Sequence, residues 1–180
     1  MGSAVVRRED EYLSRVAPFG SLDRHAREAI ARISTVRRYE DRALILLEGD
    51  RETPVLFVLE GAVRVFRSNL EGREQTLIYL HAGEPLNLPG AFATRNVVPA
   101  SAEAVGEVLL LGMPVAALRR VVLEHPAVGL ALLGMLADRV QHLSVMVYDL
   151  GLLSVRARVA RFLLSERNEH RETPVRWTHA

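Results

Sequence analysis

The sequence predicts an α+β protein in which a small antiparallel β domain lies between short N-terminal helices and one long C-terminal helix. Three observations support this fold class. Apolar residues recur at helical spacing before residue 35, alternate with polar residues from 35 to 111, and return to helical spacing after Pro114. Many short alternating runs separated by Gly, Pro and Asn are typical of a small antiparallel barrel or sandwich.

The composition is that of an ordinary globular protein. The 180 residues include 23 basic and 22 acidic side chains, 49% hydrophobic residues and no cysteine. The lack of cysteine excludes iron–sulfur clusters, structural zinc fingers and a cysteine nucleophile. A net charge of +1 without a long basic run makes this chain by itself a poor nucleic-acid binder. Since the sequence shows neither a signal core nor an apolar run of bilayer length, we expect a cytoplasmic protein with no membrane partner.

Residues 1–34 are predicted to form two short amphipathic helices. Their apolar positions recur at helical spacing, and Pro18 and Gly20 separate the two. Asp23 lies near the start of the second helix, where a carboxylate suits the free amides and the helix dipole.

The β domain is predicted over residues 35–125. Its candidate strands are 43–48, 55–60, 62–67, 73–81, 101–105 and 107–112, and residues 68–72 form a hairpin turn. Pro114 then opens a short helix. This helix ends near Glu124, because the residue before Pro126 is disfavoured in the α region.

A long helix is predicted from Pro126 to about Ser154, roughly 43 Å at 1.5 Å per residue. It contains a heptad pattern with branched or leucine residues at a and leucine at every d: Leu133, Val140 and Val147 at a, and Leu136, Leu143 and Leu150 at d. Such a pattern favours a parallel two-stranded coiled coil, so we expect a homodimer through this seam. The alternative is a helix buried along its own domain, a role that we assign to the second stripe of Leu132, Met135 and Met146.

The order of these elements, together with five sequence strings, resembles the Crp/Fnr family of bacterial transcription regulators. The strings are LLEGD at 46–50, VLFVLEGAVRVF at 55–66, EGREQTLIYLHAGE at 71–84, PASAEA at 99–104 and VRARVARFLL at 155–164. The resemblance implies that the β domain is a β-roll, a double-stranded β-helix of jelly-roll type, that binds a small effector. It also implies a dimerisation helix at 126–154 and a winged helix-turn-helix that begins within 155–180. We therefore expect DNA to be contacted only through a C-terminal domain that is absent from this chain.

Cyclic-nucleotide binders of this family carry a Gly-Glu-Leu motif followed by Arg-Ser/Thr-Ala. The resemblance places Asn87, Leu88 and Pro89 on the first motif, and Ala100, Ser101 and Ala102 on the second. Leu88 thus replaces the glutamate for the ribose hydroxyl, and Ala100 replaces the arginine for the phosphate. An uncompensated phosphate loses an ionic hydrogen bond worth about 1.5–3 kcal/mol, which argues against cyclic AMP. Arg95, in the connecting loop, is the candidate substitute cation.

The predicted effector pocket combines an apolar lining with a few polar groups, which is typical of small-molecule sites. Its candidate residues are Leu86, Asn87, Leu88, Phe92, Arg95, Ala100, Ser101, Leu143 and Ser144. The effector itself is left unidentified, and a collapsed, empty pocket is the alternative.

Two further functions remain open at this point. A haem-based branch of the family senses nitric oxide or carbon monoxide, but Asn87 and Pro89 replace its Cys-x-His pair, which leaves His81 as the candidate haem ligand. A stand-alone module that regulates a partner protein is the second alternative. Catalysis is not expected, because no two histidines lie closer than nine positions apart and no nucleophile–base constellation stands out.

Overall fold

The N-terminal segment forms short helices, but Pro18 and Gly20, which were predicted to separate two helices, lie within the short helix Ala17–Gly20. A computed structural model describes residues 11–14, 16–94 and 97–152. After a helical turn at 11–14, helix α1 spans Ala17–Gly20 and helix α2 spans Arg24–Ile33. Asp23 caps α2, since its Oδ1 accepts a hydrogen bond from Ala26 N at 2.9 Å. This bond also lowers the pKa of the Asp23 carboxyl.

The α+β fold class is confirmed: an antiparallel sheet follows the first helices, and further helices flank and follow it. The strands are β1 (Thr35–Tyr39), β2 (Leu44–Leu46), β3 (Val55–Ser68), β4 (Glu74–Leu80), β5 (Pro85–Leu86) and β6 (Ser101–Met113). The helices are α3 (Leu88–Phe92), α4 (Val115–Glu124) and α5 (Pro126–Leu152). The sheet order is β1-β6-β3-β4, with β2 also paired to β6 and β5 to β3.

Four short strands predicted from the sequence form only two long strands in the structure. The predicted strands 55–60 and 62–67 form one strand, β3, and 101–105 and 107–112 form one strand, β6. The register of β3 on β6 shifts around Glu60, where Gly61 has a φ of +83°. Gly106 has a φ of +69°. These glycines therefore mark bulges within continuous strands rather than turns between short ones. Strand β1, which the sequence analysis did not predict, pairs with the second half of β6.

Strands β3 and β6 separate two hydrophobic cores, because alternate side chains of a strand point to opposite faces. Val55 and Phe57 belong to the helix-side core, whereas Leu56 and Val58 belong to the roll core. The helix-side core consists of Leu13, Val16, Phe19, Leu22, Ala26, Ile30, Ala31, Val55, Phe57, Leu88, Ala91, Leu111, Met113, Val115, Leu118, Val121, Val128 and Leu132. The roll core consists of Leu46, Leu56, Val58, Val63, Leu80, Leu86, Val98, Ala102, Ala104, Val108 and Leu110.

The long helix begins in the first of two compact units. These units are Met1–Leu136 and Ala137–Ala180, and helix α5 contributes to both. The predicted end of this helix at Ser154 lies outside the described residues. Among the helices that the structure describes, no single one is long and apolar enough to cross a membrane, although Val115–Glu124 and Pro126–Val145 pass that test as a pair bent by 118°.

Replacing Gly61 with Ala is expected to destabilise the protein more than replacing Gly49 with Ala. Both glycines have a positive φ, so both substitutions carry the left-handed penalty of about 1–2 kcal/mol. A Cβ at Gly61 would lie 2.4 Å from the Glu107 carbonyl oxygen, whereas a Cβ at Gly49 meets nothing within 4 Å. Chemical denaturation should therefore give a further loss of about 2 kcal/mol for G61A. Equal losses for the two variants would show that the bulge tolerates a side chain.

Candidate functional site

Asn87 lies at the start of helix α3, where the family's nucleotide motif has glycine. Its φ of +63° is left-handed, a conformation that Asn tolerates better than most residues. The side chain is only 6% exposed. Its Nδ2 donates to Thr53 Oγ1 at 2.8 Å and to the Pro54 carbonyl at 3.2 Å. The Asn87 side chain therefore connects α3 to the loop before β3 through hydrogen bonds.

The position of the Asn87 side-chain oxygen, Oδ1, explains why residue 90 in α3 is a glycine. Asn87 Oδ1 is buried and has no hydrogen-bond partner among the described residues. A Cβ at Gly90 would lie 2.2 Å from this oxygen and 2.9 Å from the Val97 carbonyl oxygen. The amide of Asn87 thus occupies the space that a larger residue at position 90 would need.

The next two residues of the motif are poorly suited to an anion. Leu88 is 1% exposed and belongs to the helix-side core, so its side chain packs with the helices rather than with the roll interior. Pro89 has no N–H, which removes one of the free amides at the start of α3. Helix N-termini bind phosphate through such amides. The segment therefore offers fewer donors than an anion site of this kind needs.

The second half of the motif has a structural role in this chain. Ser101 is buried, and its Oγ accepts a hydrogen bond from Glu48 N at 3.0 Å. The Glu48 carboxylate forms two bonds with Arg67, at 2.5 and 3.1 Å, and this pairing raises the pKa of Arg67. Ala100 is buried and presents only a methyl group.

The structure does not bring all the predicted pocket residues together. Leu86 belongs to the roll core and Leu88 to the helix-side core, because the left-handed backbone at Asn87 turns the chain between them. Phe92 is 37% exposed at the end of α3. Arg95 lies outside the described residues. The proposed haem ligand His81 is exposed and follows β4.

The remaining predicted pocket residues, Leu143 and Ser144, lie on α5 in the second compact unit. Leu143 and Ser144 therefore belong to a different compact unit from the other predicted pocket residues that the structure describes. The Ser144 hydroxyl donates to the Val140 carbonyl at 2.9 Å, one helical turn earlier. That bond gives the hydroxyl a partner within its own helix.

The heptad residues of α5 differ in exposure. The a residues Leu133, Val140 and Val147 are 60–69% exposed, and Leu143 is 44% exposed. Leu136, in contrast, is partly buried against the helix-side core. The side chain of Leu150 lies outside the described residues. Among the described heptad residues, the a residues are therefore the most exposed apolar side chains.

The second stripe of α5 packs as predicted where the structure describes it. Leu132 is buried in the helix-side core and Met135 packs against that core. The side chain of Met146 is not described. Helix α5 therefore begins on its own domain and presents a different face to solvent.

Two residues at the candidate site were missed by the sequence analysis. Thr53 accepts from Asn87, 34 positions away, and Arg119 of α4 donates to the Ala91 carbonyl, 28 positions away. No periodicity or motif links residues at such distances. Over the described part of the chain, no group of three or more His, Cys, Asp or Glu residues could hold a metal ion.

Comparison with known proteins assigns this architecture to a family. The family model for the cyclic nucleotide-binding domain matches residues 36–125, half of the chain. The chain therefore belongs to the cyclic nucleotide-binding domain family. The curated regulators and solved structures described next support a place in the Crp/Fnr branch of that family.

One curated relative is the cAMP-activated global transcriptional regulator Vfr of Pseudomonas aeruginosa, 29% identical over 131 residues that cover 71% of this chain and 61% of Vfr. Among solved structures, the catabolite activator protein of Thermus thermophilus is 27% identical with a TM-score of 0.63, and the match covers 74% of this chain and 62% of that protein. The sensor domain of the regulator DNR from Pseudomonas aeruginosa has the same fold, with a TM-score of 0.66 at 20% identity over 83% of this chain and 98% of that domain. The chain spans about three-fifths of the length of the curated relatives that it matches.

Replacing Gly90 with Ala is expected to destabilise the protein, although Ala is normally the better helix residue. The added methyl group would displace the Asn87 amide from Thr53, because the Cβ position lies 2.2 Å from Asn87 Oδ1. Gly134→Ala in α5 is the matched control, since its Cβ meets nothing within 4 Å and should stabilise by up to about 1 kcal/mol. Thermal denaturation of both variants measures the difference. A stabilised G90A variant would contradict the described position of the amide.

Proposed function

We propose that this chain is the effector-sensing and dimerising portion of a Crp/Fnr-type transcription regulator. The observation that carries the proposal is the order of parts: a roll of the cyclic nucleotide-binding type is followed directly by a long helix with an exposed heptad face. In this proposal DNA is bound by a further domain that is not part of this sequence. The length of the relatives, of which this chain matches about three-fifths, supports that division.

The effector in this proposal is a small molecule other than cyclic AMP. Leu88 is buried in the helix-side core, Pro89 lacks an amide N–H and Ala100 lacks a cation. The chain therefore has no counterpart at these positions for the ribose-binding carboxylate, for one amide donor or for the phosphate-binding guanidinium. The candidate pocket residues that stay with the roll are Leu86, Ala100 and Ser101, all of them buried. Since two of the three are apolar, these residues suit a largely uncharged ligand better than an anion.

The signal would travel through the start of helix α5. Val128 and Leu132 of α5 share the helix-side core with Leu88 and Ala91 of α3, so a change in the position of α3 would act on α5 through packed side chains. A second copy of the chain would cover the exposed face of α5. Effector binding would then change the tilt or register of the paired helices and reorient the DNA-binding domains.

Cyclic AMP is expected to give no measurable binding to this chain. Isothermal titration of the purified protein with cyclic AMP should show no saturable heat up to millimolar nucleotide, because the motif lacks the guanidinium, one amide donor and the carboxylate for the ribose. The relative Vfr, which is a cAMP-activated regulator, is the positive control in the same buffer. Saturable binding with a dissociation constant of about 1 mM or lower would contradict the assignment of Leu88 and Ala100.

Substituting two exposed seam residues should convert the dimer to a monomer without unfolding it. Val140 and Val147 are 62% and 69% exposed in the single chain, so the double variant Val140→Glu and Val147→Glu costs the protomer little. In the dimer the double variant would place charges in the coiled-coil seam, where an unpaired charge is strongly unfavourable. Sedimentation velocity measures the oligomeric state and circular dichroism checks the fold.

The control for the seam is Val145→Glu. Val145 is 54% exposed and lies on the same helix, but outside the heptad a and d positions. This variant should remain a dimer. A dimeric double variant would overturn the seam assignment, and a monomeric Val145→Glu variant would show that the interface uses a different face of α5.

A further inference from the structure

Helix α3 is only five residues long, yet side chains from distant parts of the chain hold both of its ends. A helix of this length has little stability of its own, so its position depends on tertiary contacts. The residues that make these contacts come from the loop before β3 and from helix α4.

The N-terminal end of α3 is held by the Asn87 amide. Its Nδ2 donates to Thr53 Oγ1 at 2.8 Å and to the Pro54 carbonyl at 3.2 Å. These bonds are shielded from water, because Asn87 is 94% buried. A buried amide in a low dielectric forms stronger hydrogen bonds than an exposed one.

The C-terminal end of α3 is held by Arg119 of helix α4. Its Nη2 donates to the Ala91 carbonyl at 2.7 Å, and its Cζ lies 5.9 Å from the centroid of the Phe92 ring. A guanidinium at this position satisfies a terminal carbonyl, complements the negative end of the helix and interacts with an aromatic face.

The side of α3 between these two anchors is also packed. Leu88 and Ala91 lie in the helix-side core, together with Leu118 and Val121 of α4. Arg119 and Leu118 are neighbours on α4, so α4 shares the helix-side core with α3 and also donates a hydrogen bond to it. Movement of α3 away from α4 would break the Arg119 bond.

We propose that Asn87 and Arg119 form a two-point latch that keeps helix α3 in one position by means of the chain's own side chains. The latch makes the position of α3 independent of any phosphate ligand. An effector that signals through α3 has to break the Asn87 bonds or the Arg119 bond, and these two residues therefore set the threshold of the response. The threshold rests on the proposed function, whereas the latch itself concerns the fold of one protomer and is tested without an effector.

The test is amide hydrogen exchange in the full chain, measured by NMR at the Ala91 and Ala93 amides. These amides donate to the Asn87 and Pro89 carbonyls at 3.0 and 2.9 Å, so they report on opening of α3. In the protein without added ligand we expect both amides to be protected. Arg119→Ala should speed their exchange on the order of tenfold, the effect of losing about 1.4 kcal/mol.

A second variant and a matched control complete the test. Asn87→Gly keeps the left-handed backbone, because glycine adopts it without strain, and removes only the side-chain bonds. It should also speed exchange at Ala91 and Ala93 on the order of tenfold. Arg120→Ala removes the adjacent arginine, which is exposed like Arg119 but has no described hydrogen bond to α3, and should leave both amides unchanged.

Two results would overturn the latch. The first is exchange in Arg119→Ala and Asn87→Gly that equals the exchange in Arg120→Ala. The second is fast exchange of both amides in the unsubstituted chain that becomes slow only after cyclic AMP is added. Cyclic AMP is used at about 5 mM, a concentration high enough to occupy a site with a millimolar dissociation constant. A monomeric protein with protected amides would contradict the proposed dimer but support the latch.

Discussion

The alternation of side chains along β3 and β6 is the constraint on which the rest of this structure depends. Each strand is buried on both faces over part of its length, so one set of its side chains fills the roll and the other set contacts the helices. Residues 108–113 of β6 are all buried, which is expected for a strand between two cores. The helices are therefore part of the domain core and not an appendage to it.

This arrangement explains why a residue that resembles a ligand contact is a core residue here. A left-handed residue at position 87 turns the chain between β5 and α3, and Leu88 then enters the helix-side core. That core extends to Val128 and Leu132 of α5. The apolar replacement at Leu88 removes a polar contact from the roll and adds a packed contact toward the long helix. The roll and the start of the long helix are thus joined by side-chain packing on either side of one sheet.

Much of the fold follows from local sequence patterns, and the exceptions have identifiable physical causes. The helical and alternating periods locate α2, β3, β4, β6, α4 and α5 because each period reflects which face is buried. The sequence pattern places Gly61 and Gly106 between predicted strands, but a positive φ also fits a bulge within one strand. The direction of Leu88 and the contact between Arg119 and Ala91 could not be predicted, since both depend on tertiary packing between residues far apart in sequence. The heptad identifies the exposed positions Leu133, Val140 and Val147, whereas Leu136 is shared with the core because α5 begins on its own domain.

We propose that this chain combines a roll that does not bind cyclic AMP and a helix that pairs two copies. Native mass spectrometry of the purified protein, recorded before and after incubation with cyclic AMP, tests both parts in one experiment. The account predicts a species at twice the chain mass of 20.0 kDa that gains no cyclic AMP. Any other bound mass in the purified dimer would identify the effector directly. A monomer, or a dimer that gains two molecules of cyclic AMP, would contradict the account.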